Sequence, residues 1–147
     1  MKKFLICAPT YNESENIKIF CRKIFNINKN FHLLIVDDNS PDGTYKIIEK
    51  LKLKYKNLYL LKRKKKLGLG SALREGMNYA LKKKYKALMT IDADLSHNPK
   101  EIPLLIYKLK SNDFVIGSRY VSGGKSDYGG YRNLISRLAN KLCRFFL

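Results

Sequence analysis

The stretch Leu33-Leu34-Ile35-Val36-Asp37-Asp38-Asn39-Ser40-Pro41-Asp42-Gly43-Thr44 carries the transition on which the fold turns. Four apolar residues stop abruptly at two carboxylates. Ser40-Pro41-Asp42-Gly43 then forms a turn, with Asp42 placed to cap a helix after it. Tyr45, Ile48, Leu51 and Tyr55 come next, a stripe at helical spacing. An unbroken apolar run, a turn and a 3.6-residue period together read as strand, turn and helix.

The same unit recurs on both sides. Residues 4–8 are apolar and precede a stripe of Ile17, Phe20, Cys21, Ile24 and Ile27. Residues 58–61 read as a third strand, followed by Leu69, Leu73, Met77, Ala80 and Leu81 on one predicted helix face. Residues 87–91 form a fourth strand before a stripe of Ile102, Leu105, Ile106 and Leu109, and residues 114–116 read as a fifth strand. Regular β-α alternation predicts an α/β fold with a mainly parallel sheet flanked by helices on both faces. Residues 120–131 hold four glycines and few apolar side chains, the composition of a mobile loop. Residues 132–147 then predict a C-terminal amphipathic helix. Leu134, Ile135, Leu138, Leu142, Phe145 and Phe146 lie on one face, and Arg137, Lys141 and Arg144 on another. The expected organisation is one domain over 1–131 and a basic interfacial helix over 132–147.

Composition narrows the function classes. The 147 residues suffice for one domain with a core but not for two ordinary ones. No run approaches the ~20 apolar residues of a membrane span. The apolar stretch near Met1 is only about five residues, too short for a signal peptide, which predicts a cytoplasmic protein. Three cysteines, Cys7, Cys21 and Cys143, are an odd number without Cys-x-x-Cys spacing, so neither a disulfide framework nor a zinc site is indicated. The net charge of +18 points to anionic partners, although lysine as a default surface residue accounts for it equally well.

In an open α/β sheet, ligands bind beyond the carboxyl ends of the strands. Pro9-Thr10-Tyr11-Asn12-Glu13, the segment from Asp37 to Thr44, and Asp92-Ala93-Asp94 are therefore expected to converge. Crowding carboxylates in one crevice is unfavourable without a cation. Hard oxygen ligands suit Mg²⁺ or Mn²⁺ held by one or two carboxylates plus substrate phosphates. Residues at i and i+2 of an extended chain point the same way, so Asp92 and Asp94 can address one ion together.

Ala8-Pro9-Thr10-Tyr11-Asn12-Glu13, Val36-Asp37-Asp38-Asn39-Ser40-Pro41-Asp42-Gly43-Thr44, Lys66-Leu67-Gly68-Leu69-Gly70, Asp92-Ala93-Asp94-Leu95-Ser96-His97-Asn98-Pro99 and Gly117-Ser118-Arg119-Tyr120 occur in that order. The set resembles the motifs of family 2 glycosyltransferases of the polyprenol-phosphate (dolichol-phosphate) mannosyltransferase type, over nearly the whole chain. The resemblance implies a nucleotide-sugar-binding, Rossmann-like GT-A domain. It implies that Pro9, Tyr11 and Glu13 line the base and ribose pocket, with Val36 and Asp38 facing the base. Asp92, Ala93 and Asp94 would hold the donor diphosphate through the metal, Asp94 most firmly, and Ser96 stands at a further metal-ligand position. Arg119 would lie near a substrate phosphate and, with Asp94, carry catalysis. Arg132 and Ser136 match positions that bind the acceptor phosphate.

The implied reaction transfers mannose from GDP-mannose to a polyprenyl phosphate, with inversion. A phosphate monoester is mostly dianionic near neutrality and needs no general base, so neither His32 nor His97 is required as one. His97 reads as a turn residue beside the metal motif. The segment Lys62-Arg63-Lys64-Lys65-Lys66 suits either an anionic partner or a solvated surface. The resemblance further implies a peripheral protein on the cytoplasmic face of an anionic membrane. Relatives continue past the amphipathic helix, so donor binding without turnover is an alternative. Another is a glycosyltransferase using UDP-glucose or a different nucleotide sugar. A dinucleotide-binding oxidoreductase is disfavoured because Gly68-Leu69-Gly70 lacks its third glycine, Leu73 standing there, and follows the third strand. A basic nucleic-acid-binding module remains the reading from another class, but no recognised signature supports it and no nucleic acid is expected.

Overall fold

The computed structural model describes residues 4–118, 121 and 130–146, with only the helical backbone described at 132–134, 137 and 144–146. Two compact units are present, Met1–Glu101 and Ile102–Leu147.

In the first unit the apolar runs become strands, each followed by a helix. The elements are β1 (Phe4–Thr10), α1 (Ile17–Ile27), β2 (His32–Asp37), α2 (Thr44–Lys52), β3 (Leu58–Lys62), α3 (Leu69–Lys82) and β4 (Ala87–Thr90). A short 3₁₀ turn, Pro99–Glu101, ends the unit. The strands form one parallel sheet in the order β3-β2-β1-β4. Helical crossovers are what parallel strands require.

Both faces of β1 and β2 are buried, which is why their sequences run apolar without alternation. Leu5, Cys7, Leu34 and Val36 face α3, where they pack with Ala72, Ala80 and Tyr85. By strand alternation Ile6, Ala8, Leu33 and Ile35 point to the opposite face, and they too have no exposed surface. Ile17, Phe20, Ile24 and Ile48 of α1 and α2 are the corresponding buried helix residues. Phe25 stacks on Tyr55 at 4.4 Å between centroids.

Helix α3 departs from its predicted face. The sequence pattern points to Leu69, Leu73, Met77, Ala80 and Leu81. The structure buries Ala72, Gly76 and Ala80 and leaves Leu69, Met77 and Leu81 exposed. The reason is separation. A small-residue ridge lets the helix axis approach β1 so closely that a Cβ on Gly76 would overlap Cys7 Sγ. Larger side chains cannot occupy that ridge, so the leucines turn away. Cys7 and Cys21 are buried, and burial pushes both thiols up to about 12. They act as small core residues, as their spacing suggests.

The second unit contains α4 (Ile102–Lys108) and α5 (Gly130–Phe146). Helix α5 confirms the predicted C-terminal helix, and Ile135, Leu138 and Leu142 on it are exposed. The predicted fifth strand at 114–116 is not one: the segment is irregular, with Phe114 and Ile116 exposed. Three apolar residues between Asp113 and Gly117 offer too few ladder bonds to offset the entropy of fixing the chain. The expected glycine-rich loop lies largely outside the described residues.

Gly76→Ala is expected to destabilise the chain by about 1–3 kcal/mol through overpacking. Combined with Cys7→Ala, which vacates the overlapped volume, the loss should be clearly smaller than the sum of the two single losses. Urea denaturation of the four proteins checks this, and strict additivity would refute the contact.

Candidate active site at the carboxyl ends of the strands

Strand β1 lies between β2 and β4, so the loops after these three strands emerge side by side, about 4.8 Å per strand step. The ladder runs past the strand ends. Asp38 N donates to Thr10 O at 2.9 Å, and Ile91 N donates to Cys7 O at 3.1 Å. The expected convergence of the three polar segments is therefore present.

The first two loops are sewn together by side chains. Asp37 is fully buried. It accepts from the Thr10 hydroxyl at 3.1 Å, the Ser40 N–H at 3.0 Å and the Ser40 hydroxyl at 2.6 Å. The Ser40 hydroxyl in turn accepts from Asn12 N at 3.0 Å. Thr44 Oγ1 accepts from Glu13 N at 2.9 Å, and Asp42 accepts from Ser14 N at 2.9 Å and Thr44 N at 3.0 Å. Asp42 is thus a turn residue whose carboxylate accepts from the first N–H of α2, while Gly43 holds the N-cap position. Slight burial pushes its carboxyl up, but the Thr44 hydroxyl and N–H and the Ser14 N–H outweigh that and hold it at about 2.

One backbone device repeats in all three loops. Asn12, Asn39 and Leu95 have positive φ, at 61°, 59° and 66°. In each case the next residue turns its N–H onto a side-chain oxygen: Glu13 onto Thr44, Ser40 onto Asp37, Ser96 onto Asp94. Leucine has no local polar compensation for this conformation, which costs roughly 1–2 kcal/mol. Strain of this kind gathers at functional loops.

Asp38 is nearly buried and its oxygens are engaged. Leu67 N and Gly68 N donate to it at 2.9 and 2.8 Å. Arg63 Nη1 lies 3.2 Å from Asp38 Oδ1. Arg63 also donates to Gly68 O at 3.2 Å and to the Ser71 hydroxyl, and its Nε lies 3.5 Å from Glu75 Oε1. Asp38 therefore braces the loop entering α3. Above that loop Lys66 Nζ sits 3.7 Å from the Tyr11 ring centroid.

At β4, Asp92 and Asp94 are exposed and Ala93 is buried between them, so the two carboxylates emerge while the backbone stays anchored. Partial burial pushes Asp94 up, but the Ser96 N–H and hydroxyl and nearby His97 outweigh it and hold the carboxyl below its usual range. An exposed pair of carboxylates fits a hard divalent cation. Among the described residues no three acidic, histidine or cysteine side chains converge on one point. Asp92 and Asp94 are thus two exposed carboxylates on one short segment, the fit to a cation resting on their oxygens alone. His97 Nδ1 accepts from Asp92 N at 3.4 Å and lies 3.8 Å from Asp92 Oδ2. That placement suits a turn residue.

Pro9, half-buried near the end of β1, and Tyr11 and Glu13, on the loop after it, have accessible surface. Val36 has none, and its side chain packs under α3, so it reaches the site only through the strand it anchors. Ser96 is exposed beside Asp94. Arg119 and the side chain of Arg132 lie outside the described residues, and Ser136 is half-buried on α5 in the second unit. Sequence reasoning misses Arg63, which hides in a lysine run. Its inward turn follows from the register of the sheet: Lys62 pairs with Asp37, so the next residue adjoins a buried Asp38 that needs a cation.

The family model for glycosyl transferase family 2 matches residues 5–147. The chain belongs to that family. A polyprenol monophosphomannose synthase of Mycolicibacterium smegmatis is 37% identical across 99% of this chain and 56% of its own length. A dolichol-phosphate mannosyltransferase of Pyrococcus furiosus is 39% identical across 99% of this chain and 41% of its own. An undecaprenyl-phosphate mannosyltransferase of Micrococcus luteus is 37% identical across 84% of this chain and 51% of its own. The chain spans about half the length of these curated relatives. Among solved structures, the Pyrobaculum calidifontis mannosyltransferase PcManGT has a TM-score of 0.54 at 22% identity, over 63% of this chain and 27% of that one. TarS of S. aureus, residues 1-349, has a TM-score of 0.50 at 24% identity, over 80% of this chain and 39% of that one. These two likenesses agree with a GT-A fold in this family member.

Two outcomes are expected from the braces. Arg63→Met leaves Asp38 buried and unpaired and should cost about 3–5 kcal/mol in urea denaturation. Adding Asp38→Asn should recover part of that loss, and no recovery would refute the pairing. Asp42 has a depressed pKa, so its contribution is complete above its unfolded value of about 3.9 and vanishes as pH falls through about 2. Asp42→Asn should therefore show a shallower fall in Tm than the parent chain across that window.

Proposed function

We propose that this chain supplies the sugar-transferring domain of a polyprenol-phosphate mannosyltransferase, moving mannose from GDP-mannose to a polyprenyl phosphate. The observation that carries the reading is the agreement of three relatives, at 37–39% identity, on mannose transfer to or synthesis on a polyprenol-type phosphate. The PcManGT structure holds GDP-Man and Mn²⁺, which supports the same donor and a divalent ion here.

In this reading residues 1–131 form the catalytic domain. Pro9, Tyr11 and Glu13 line the nucleotide pocket. Asp38 acts on it indirectly, through the loop it braces, and Val36 through its strand. Asp92 and Asp94 hold Mg²⁺ or Mn²⁺, with Ala93 between them and Ser96 as a further oxygen donor. Once bound, the ion neutralises charge on the departing nucleoside diphosphate. Arg119, Arg132 and Ser136 receive the acceptor phosphate, arginine being suited by its planar fork and permanent charge. The acceptor oxygen attacks the anomeric carbon as the bond to the diphosphate breaks, which inverts the configuration. A dianionic phosphate brings its own nucleophile, so the protein's work is to gather and screen anions. The helix at 132–147 lies against the cytoplasmic face of the membrane that holds the acceptor. The exposed Ile135, Leu138 and Leu142, at i, i+3 and i+7, support this, and no described helix is long and apolar enough to cross a membrane.

Calorimetric titration with GDP-mannose and UDP-glucose, each with Mn²⁺ and then with EDTA, tests the donor. Metal-dependent binding of GDP-mannose alone is expected, and preference for UDP-glucose would replace the sugar. Asp94→Ala should reduce metal-dependent donor binding by at least tenfold with an unchanged Tm, and unaltered affinity would remove Asp94 from the metal site.

A further inference from the structure

Helix α3 leaves an apolar row uncovered. Leu69, Leu73, Met77 and Leu81 recur every four residues along one shoulder of the helix. Leu69 is 59% exposed, Met77 49% and Leu81 74%, Leu67 just before the helix is 50% exposed, and Leu73 between them is half-buried. The row is not the helix's core face, because Ala72, Gly76 and Ala80 fill that role. From Leu69 to Leu81 the row is about 18 Å long.

The charge around this row is of one sign. Over residues 64–86 there are three lysines at 64–66, Arg74, three more at 82–84 and Lys86, hence eight basic residues against one acidic, Glu75. Glu75 is turned to the buried Arg63 at 3.5 Å. All eight basic residues are exposed. Lysines thus stand at both ends of an apolar row, with Arg74 beside its middle. An apolar protein partner would be served by the row alone, and free phosphate by the lysines alone. A surface with an apolar interior and an anionic skin matches both, as for helices that lie in a lipid interface.

We propose that α3 with its flanking lysines is a membrane-contact face, which seats the first unit flat on an anionic lipid surface. The assignment rests on the helix's own exposure and charge and is separate from the donor chemistry and from α5. The leucines enter the acyl boundary, and the lysines at either end meet lipid phosphates, apart from Lys66, which lies over Tyr11.

The chain contains no tryptophan, so a single introduced one reports without background. Leu81→Trp is mixed with vesicles of equal parts phosphatidylcholine and phosphatidylglycerol, and with vesicles of phosphatidylcholine alone. Its emission should shift to the blue, and brominated acyl chains should quench it, on the anionic vesicles only. Leu53→Trp, at a leucine 90% exposed beyond the end of α2, should not respond. Replacing Lys82, Lys83 and Lys84 with Gln should lower the partition coefficient on the order of a hundredfold, and Met77→Ser/Leu81→Ser at least tenfold. Raised salt should weaken binding by the parent chain. Vesicle binding with no shift at residue 81 would place the contact on another element and overturn the proposal. So would a shift that grows with protein concentration without lipid, since the row would then be an interface between copies. GDP-mannose titration of Met77→Ser/Leu81→Ser should match the parent chain, which separates failure of this face from failure of the donor assignment.

Discussion

Asp37 lies at the centre of the sheet's carboxyl edge with no accessible surface, and everything around it is arranged to tolerate a charge there. The Thr10 hydroxyl and the Ser40 hydroxyl and N–H donate to it in place of a cation. A buried carboxylate short of donors costs several kcal/mol, so the end of β1 and the turn after β2 cannot move independently of it. The same serine then accepts from Asn12, extending the constraint into the loop that carries Tyr11 and Glu13. The candidate nucleotide pocket is thus fixed from below by an anion, before any ligand arrives.

Asp38, next in sequence, solves the equivalent problem differently. It uses Arg63 and two N–H groups from the start of the α3 loop. One strand end therefore governs two loops in opposite directions, Asp37 toward β1 and Asp38 toward β3. The exposed pair Asp92 and Asp94 is kept out of this bracing. Their carboxylates are oriented by nothing heavier than the Ser96 N–H and the neighbouring His97. Asp37 and Asp38 are buried and satisfied, whereas Asp92 and Asp94 are left exposed.

Much of this is legible in the chain. The apolar runs at 4–8, 33–36, 58–61 and 87–91 locate the four strands of the described sheet, and at β1 and β2 burial on both faces removes the ambiguity of alternation. Their polar termini locate the site, because a parallel sheet puts all carboxyl ends on one edge. The helix face of α3 is not legible, for a definite reason. Hydrophobic periodicity scores leucine above alanine and glycine, whereas close approach to Cys7 selects small volume. Residues 114–116 have strand composition without the length to form a ladder. Arg63 is lost among lysines because charge runs look alike in sequence, and only the register of β3 against β2 distinguishes the one that turns inward. The roles of Arg119 and Arg132 are proposed from resemblance, which supplies order and spacing.

Leu95 holds a left-handed conformation between Asp94 and the serine that binds it. With Asn12 and Asn39 it forms a set of three pivots, one per loop, each aiming the N–H of the residue after it. The shape of the rim is therefore encoded in backbone turns, while the chemistry is presented by the residues between them. For anyone redesigning the donor preference, this separates two kinds of position. Side chains such as those at 11 and 96 project from the loops without setting their turns. Positions 12, 39 and 95 are hinges of the mould, to be filled only by residues that accept a positive φ.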